Sequence, residues 1–138
     1  MSTVLVVLSE RGSAESISAA LRAAGYIVHQ CCGPEAYRCP VLEGEHCDFV
    51  DGADALVYGL GLQPIGPETD AVLFGMLRWI NPTAPLIVVD DQWLGSIPVD
   101  ELAIRDRLVR VLPSPLVPEE VVSCVTEALG KRRMLGAA

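Results

Sequence analysis

The sequence is short of positive charge, histidine, aromatic side chains and long apolar runs, and each shortage removes a class of function. Ten Lys and Arg stand against eighteen Asp and Glu, a formal net charge of −8. Gripping nucleic acid by its phosphates needs a cationic face, and the overall charge argues against one. The one basic cluster, Lys131-Arg132-Arg133, lies near the C-terminus, where cations suit the negative end of a helix dipole. No apolar stretch approaches the ~20 residues of a membrane span. Met1-Ser2-Thr3, followed by Val4 to Leu8, has neither the basic flank nor the apolar length of a secretion signal, so a cytoplasmic location is expected. Both histidines stand beside cysteines and no serine sits in a nucleophile elbow, so no catalytic triad is visible and no enzymatic activity is expected.

What is present is core material. Of 138 residues, 51% are hydrophobic and the mean hydropathy is +0.38, which is too apolar for disorder and enough for one packed domain. No repeat, linker or low-complexity tract divides the chain, so a single domain over 1–138 is expected.

Thr3 to Leu8 is a continuous β-branched and apolar run, which suits a strand covered on both faces. Ser13 is placed to cap a helix whose apolar side is Ile17, Ala20, Leu21 and Ala24, with Gly25 closing it. Tyr26 to Gln30 reads as a second strand and Asp54 to Leu60 as a third. Val72, Leu73, Met76 and Ile80 mark the buried side of the next helix, which Asn81-Pro82 ends. Leu86 to Val89 is a fourth strand, 99–105 a weakly patterned helix, and Val109 to Leu112 a fifth strand. Pro118 opens a last helix lined by Val121, Val122, Val125, Ala128 and Leu129. Strands alternating with helices imply a three-layer α/β fold with a five-stranded parallel sheet. The segment of about 31–52 breaks the alternation. Where a second crossover helix belongs, it offers a cysteine-punctuated loop with at most one helical turn near Glu35 to Arg38.

Several stretches resemble the receiver domains of response regulators, the CheY-like superfamily: Asp54-Ala55-Leu56-Val57-Tyr58 their third strand, Ala84-Pro85-Leu86-Ile87-Val88-Val89 their fourth, and Val109 to Leu116 with Pro118-Glu119-Glu120-Val121 their fifth strand, proline loop and last helix. The resemblance implies the flavodoxin-like strand order 2-1-3-4-5 and a role in signal transduction. It also implies positions for phosphorylation chemistry, and these are altered. The acidic pair that holds magnesium falls on Leu8-Ser9 or Ser9-Glu10. The acceptor aspartate, counted from Asp54, falls on Gly59. The hydroxyl after strand four falls on Asp90, and the lysine before the loop proline on Ser114. Phosphoryl transfer depends on positioning and charge neutralisation, so losing nucleophile, metal acids and lysine together should abolish it. A phosphorylation-dead receiver-like regulatory module is therefore expected. Receivers commonly pair through the side made by their fourth helix, fifth strand and last helix, which implies a homodimer here using Leu102, Ile104, Val121 and Val125 or their neighbours.

The cysteine segment supplies the distinctive chemistry. Cys32, Cys39 and Cys47 have six and seven residues between them, close enough for one loop to wrap an ion, with Cys31, His29 or His46 as a fourth ligand. Thiolates favour a zinc ion or an iron–sulfur cluster. A loop with little apolar material needs some other tie, which a metal supplies. The paired C-x-x-C knuckles of zinc sites are missing, so redox-active thiols, a disulfide such as Cys39–Cys47, or free thiols in a purely structural interaction domain stay open. Cys124, on an apolar helical side, reads as core. Asp90-Asp91 reads as a solvated acidic pair before it reads as a hard-cation site. A weaker alternative is a flavodoxin-like FMN binder, with Ser9 to Glu15 as phosphate loop and Trp79 and Trp93 flanking the flavin; Glu10 and the scarcity of aromatics oppose it.

Overall fold

In the computed structural model of the protein, residues 2–8, 11–31, 39–60, 66–90, 108–112 and 117–136 are described. In chain order the elements are β1 (Thr3–Val7), α1 (Arg11–Ala23), β2 (Ile27–Cys31), a 3-10 turn (Val41–Glu43), α2 (Asp48–Asp51), β3 (Ala55–Leu60), α3 (Gly66–Ile80), β4 (Leu86–Asp90), β5 (Val109–Leu112) and α4 (Pro118–Gly136). The five strands form one parallel sheet in the order β2-β1-β3-β4-β5, the order the resemblance implies.

Successive side chains of a strand point to opposite faces, so the apolar runs supply two cores at once. Val4, Val6, Leu8, Ala55, Val57, Ile87 and Val89 pack under α1 and α4. Leu5, Val7, Leu56, Tyr58, Leu86, Val88 and Val109 pack under the 3-10 turn, α2 and α3.

The helices correct the sequence reading in detail. α1 begins at Arg11, so Ser13 lies inside its first turn and is not its cap. Its buried side is Ala14, Ile17, Ser18 and Leu21, while Ala24 is exposed beyond the helix end. Gly25 closes it as expected, at φ +97°. Tyr26 N–H donates to Leu21 O and Gly25 N–H to Arg22 O, the paired bonds of a glycine C-cap. Ser18 Oγ is fully buried with no hydrogen-bond partner, a cost of about 1–3 kcal/mol. In α3 the core residues are Leu73 and Leu77, whereas Val72 is 57% exposed. In α4, Val121 and Val125 are wholly buried against α1 and the sheet, so they are not available to a pairing surface; Leu102, Ile104 and the helix expected at 99–105 lie outside the described residues.

The crossover after β2 also differs from expectation. The helical turn expected at 35–38 lies outside the described residues, but two turns follow it, at Val41–Glu43 and Asp48–Asp51. Each sends one valine into the core: Val41 and Val50 are both 2% exposed. Isolated valines nine positions apart create no periodic signal, although burying each contributes about 1.5–3 kcal/mol.

Candidate functional site at the strand C-termini

Parallel sheets present their functional edge at the strand C-termini, and here two described positions on that edge, Leu8 and Gly59, carry no polar side chain. Asp54 sets the register. Thr3 N–H donates to Asp54 Oδ2 at 2.8 Å, and Asp54 N–H donates to Thr3 O at 2.8 Å. With the start of β3 pinned to β1, Val7 lies opposite Tyr58, and Gly59 lies opposite Val89 on β4. Leu8 follows directly, its N–H donating to Cys31 O at 3.1 Å, and its side chain is wholly buried under α1 and α4. Leu60 pairs with Asp90, which ends β4.

Leu8 offers no ligand to magnesium and Gly59 has no side chain to accept a phosphoryl group. At these two positions the residues present do not fit the metal that receiver chemistry requires. Ser9, Glu10, Asp91 and Ser114 lie outside the described residues.

The cysteines converge on the other face. Cys31 at the end of β2, Cys39 before the 3-10 turn and Cys47 before α2 are each half-buried against the cluster that contains Val41 and Val50. Cys39 and Cys47 are free thiols, and Cys32 lies outside the described residues. Among the described residues, no three His, Cys, Asp or Glu side chains are grouped to hold an ion. Both histidines are engaged elsewhere. His29 packs on the Phe49 ring at 5.1 Å, and His46 Nε2 lies 3.3 Å from Asp48 Oδ1 and 3.7 Å from Asp51 Oδ2 in an exposed group.

The crossover is tied by packing and by a residue the sequence reading treated only as a helix stop. Asn81 is buried. Its Nδ2 donates to Val50 O at 2.7 Å and Ala53 O at 2.9 Å, while its Oδ1 accepts from Ala84 N–H at 3.2 Å. Arg78 supports the same corner by donating to Ala84 O and Asn81 O.

Cys124 is half-buried on α4, as expected of a packing thiol, beside an open concavity of about 390 Å³ lined by Leu112, Glu119, Glu120, Ser123 and Glu127. Burial pushes its thiol above the ordinary 9.0; Arg110 opposes the rise and Glu127 reinforces it. A thiol so placed is a poor nucleophile near neutral pH.

Trp79, offered as one flank of a flavin, lies apart from the start of α1. α3 runs back from the end of β3, so Trp79 lies at the strands' N-terminal edge, two residues before the Asn81 that bonds Ala53 O. α1 starts at the opposite edge, after the end of β1. Trp93 lies outside the described residues. No described helix is long and apolar enough to cross a membrane.

A parallel five-stranded sheet in this order, with α1 and α4 on one face and α2 and α3 on the other, defines a three-layer flavodoxin-like α/β protein. The sequence matches no family model and no curated protein. Solved structures give the finer class. A response regulator receiver domain protein (CheY-like) from Methanospirillum hungatei JF-1 superposes with a TM-score of 0.70 at 14% identity, covering 97% of this chain and 98% of its own. A response regulator receiver domain protein from Clostridium thermocellum gives 0.69 at 17% identity, covering 98% and 99%. An adenylate cyclase structure from Rhodopirellula baltica gives 0.68 at 14% identity, covering 99% and 93%. The chain therefore has the receiver fold, over nearly its whole length.

Proposed function

We propose that this protein is a regulatory, non-catalytic receiver-like module of the cytoplasm that signals through protein contacts and not through an aspartyl phosphate. The observation that carries the reading is the pair Leu8 and Gly59: a buried apolar side chain at one of the two placements, Leu8-Ser9 or Ser9-Glu10, that the receiver resemblance allows for the metal acids, and no side chain where it puts the acceptor. Incubation with acetyl phosphate and magnesium should leave the intact mass unchanged. An added phosphate that is lost under the mild hydrolysis typical of acyl phosphates would overturn the reading.

The same reading assigns the response to the cysteine segment, acting through a soft metal or an oxidant, since both chemistries use thiolates. Its support is that Cys31, Cys39 and Cys47 all pack on the cluster that holds Val41 and Val50, so a change at any of them disturbs the packing of the whole crossover. Elemental analysis of anaerobically purified protein, with thiols counted under denaturing conditions before and after mild peroxide, checks this. The expected result is bound zinc or iron, or loss of thiols from this segment with Cys124 spared. Five thiols surviving peroxide, with no metal taken up, would remove the assignment and leave a plain interaction domain.

A further inference from the structure

The layer made by the 3-10 turn, α2 and α3 carries apolar side chains that the fold does not use. α3 is apolar on two sides. Leu73 and Leu77 face the core, but Val72 is 57% exposed and Trp79 is 78% exposed, with exposed Gly75 between them and Met76, which packs in part on the core, at the stripe's inner border. Positions 72, 75, 76 and 79 follow the i, i+3, i+4, i+7 spacing, so they form one stripe along the outer side of the helix. A carbon added at Gly75 would meet nothing within 4 Å, so the stripe is open at its centre. α2 packs beside α3 and presents Phe49, 58% exposed. The two aromatics stem from adjoining backbone, because Asn81, two residues beyond Trp79, bonds the carbonyl of Val50, next to Phe49. Of the exposed large apolar residues described, Val117 alone belongs to the α1/α4 side of the chain, just before α4.

The charge of this layer selects what can cover it. From Cys39 to Leu77 the sequence contains no Lys or Arg. Glu43, Glu45, Asp48 and Asp51 are exposed on the segment that carries Phe49; Asp48 and Asp51 flank it in sequence beside His46, and Asp48 is 98% exposed at its side chain. The cation that follows, Arg78, is half-buried and donates to the carbonyls of Asn81 and Ala84. A second copy of this chain would bring the same acidic layer against itself on a molecule of net charge −8. Opposed like charges are costly in an interface.

From this juxtaposition we infer that the outer side of α3, with Phe49 of α2, is the docking surface for a basic amphipathic protein segment, whose apolar side covers Val72, Met76 and Trp79 and whose Lys and Arg meet the acids around Phe49. Trp79 is the anchor. A large aromatic that loses most of its exposure on binding is where interface energy concentrates, while the exposed acids set orientation and association rate. The inference rests on the regulatory reading above and names the partner class.

The test uses the full chain and a labelled amphipathic helical peptide with Lys and Arg on its polar side, followed by fluorescence anisotropy. A control peptide has the same apolar side but Glu in place of the cations. The basic peptide should bind and the acidic one should not. Trp79→Ala should weaken binding about tenfold or more, and Val72→Asp should act in the same direction. Both side chains are exposed, so thermal melts should show each variant folded. The double change Asp48→Lys and Asp51→Lys should weaken binding several-fold, whereas Glu119→Lys with Glu120→Lys, on α4 at the opposite layer, should leave it within about twofold. Absence of binding by the basic peptide, indifference to Trp79→Ala, or equal losses from the two lysine pairs would overturn the proposal. So would a dimer of the free protein that sedimentation shows to be abolished by Trp79→Ala, since the occupant would then be a second copy. These outcomes are separate from the phosphodonor test: a phosphorylated aspartate overturns the regulatory reading whatever the peptide does, and a failed peptide leaves the absence of phosphorylation standing.

Discussion

Asn81→Ala should lower the free energy of unfolding by about 3 kcal/mol or more and loosen the crossover before β3 ahead of the rest of the molecule. The amide makes three hydrogen bonds in a buried corner: two from Nδ2, to Val50 O and Ala53 O, and one from Ala84 N–H to Oδ1. Alanine cannot replace any of them: Val50 O keeps its bond from Ala53 N–H, but Ala53 O and Ala84 N–H lose the amide, and a buried carbonyl or amide left without a partner costs about 1–3 kcal/mol. Water entering the corner recovers part of this, which sets the estimate near the lower end of the sum. A typical domain has only about 5–15 kcal/mol in total, so the change is a large fraction of its stability. Denaturant unfolding measures the loss. Amide exchange over 47–53 locates it, because those residues are held from α3 by this side chain and by Val50. Asn81→Asp should be nearly as harmful, since it keeps the acceptor for Ala84 but loses both donors and adds a charge. A loss below about 1 kcal/mol for both variants would mean that packing of Val41 and Val50 alone holds the crossover.

The strands were readable because a strand covered on both faces is a continuous apolar run, and Val4 to Leu8, Ala55 to Tyr58 and Leu86 to Val89 are such runs. The helices were readable in place and length but less so in rotation. α1 buries Ala14 and Ser18, whose small side chains add little to an apolar pattern, and α3 is apolar on two sides, so its periodicity does not say which side is inside. The crossover was least readable. Its anchors are two lone valines and an amide 28 and 31 residues away in sequence, and no local pattern announces a contact of that range. The altered phosphorylation positions were legible for the opposite reason. Gly59 follows by counting from Asp54, and Asp54 fixes the β1–β3 register through its own hydrogen bonds with Thr3. The apolar ties of this segment, Val41, Val50 and the half-buried thiols, are single residues without a period, so the sequence alone reads as a loop with little apolar material.

Restoring the acids at the strand C-termini should therefore fail to restore phosphorylation and should damage the fold. Gly59→Asp with Leu8→Asp places a carboxylate at the acceptor position and at one of the positions that the receiver resemblance allows for the metal acids. Leu8, however, is a core residue: it is wholly buried with Ala14, Ile17 and Val125 in the cluster under α1 and α4. Removing a buried leucine side chain costs about 2–5 kcal/mol, and a carboxylate in its place adds a desolvation cost or is driven to its neutral form. A neutral carboxyl is a poor ligand for magnesium, so the substitution removes packing without assembling the metal site. Gly59→Asp alone should be milder in stability and equally inert toward acetyl phosphate, because a nucleophile without a metal ion to neutralise the incoming charge lacks the main source of catalysis. Leu8→Ala separates the two contributions: it should show the packing loss without the charge. Thermal unfolding of the three variants, with intact mass after phosphodonor treatment, gives the answer. The expected order of destabilisation is Leu8→Asp with Gly59→Asp, then Leu8→Ala, then Gly59→Asp. A double variant that stays as stable as the parent and acquires a phosphate would show instead that the edge is a receiver site lacking only its acids, and that its apolar repacking has no structural role.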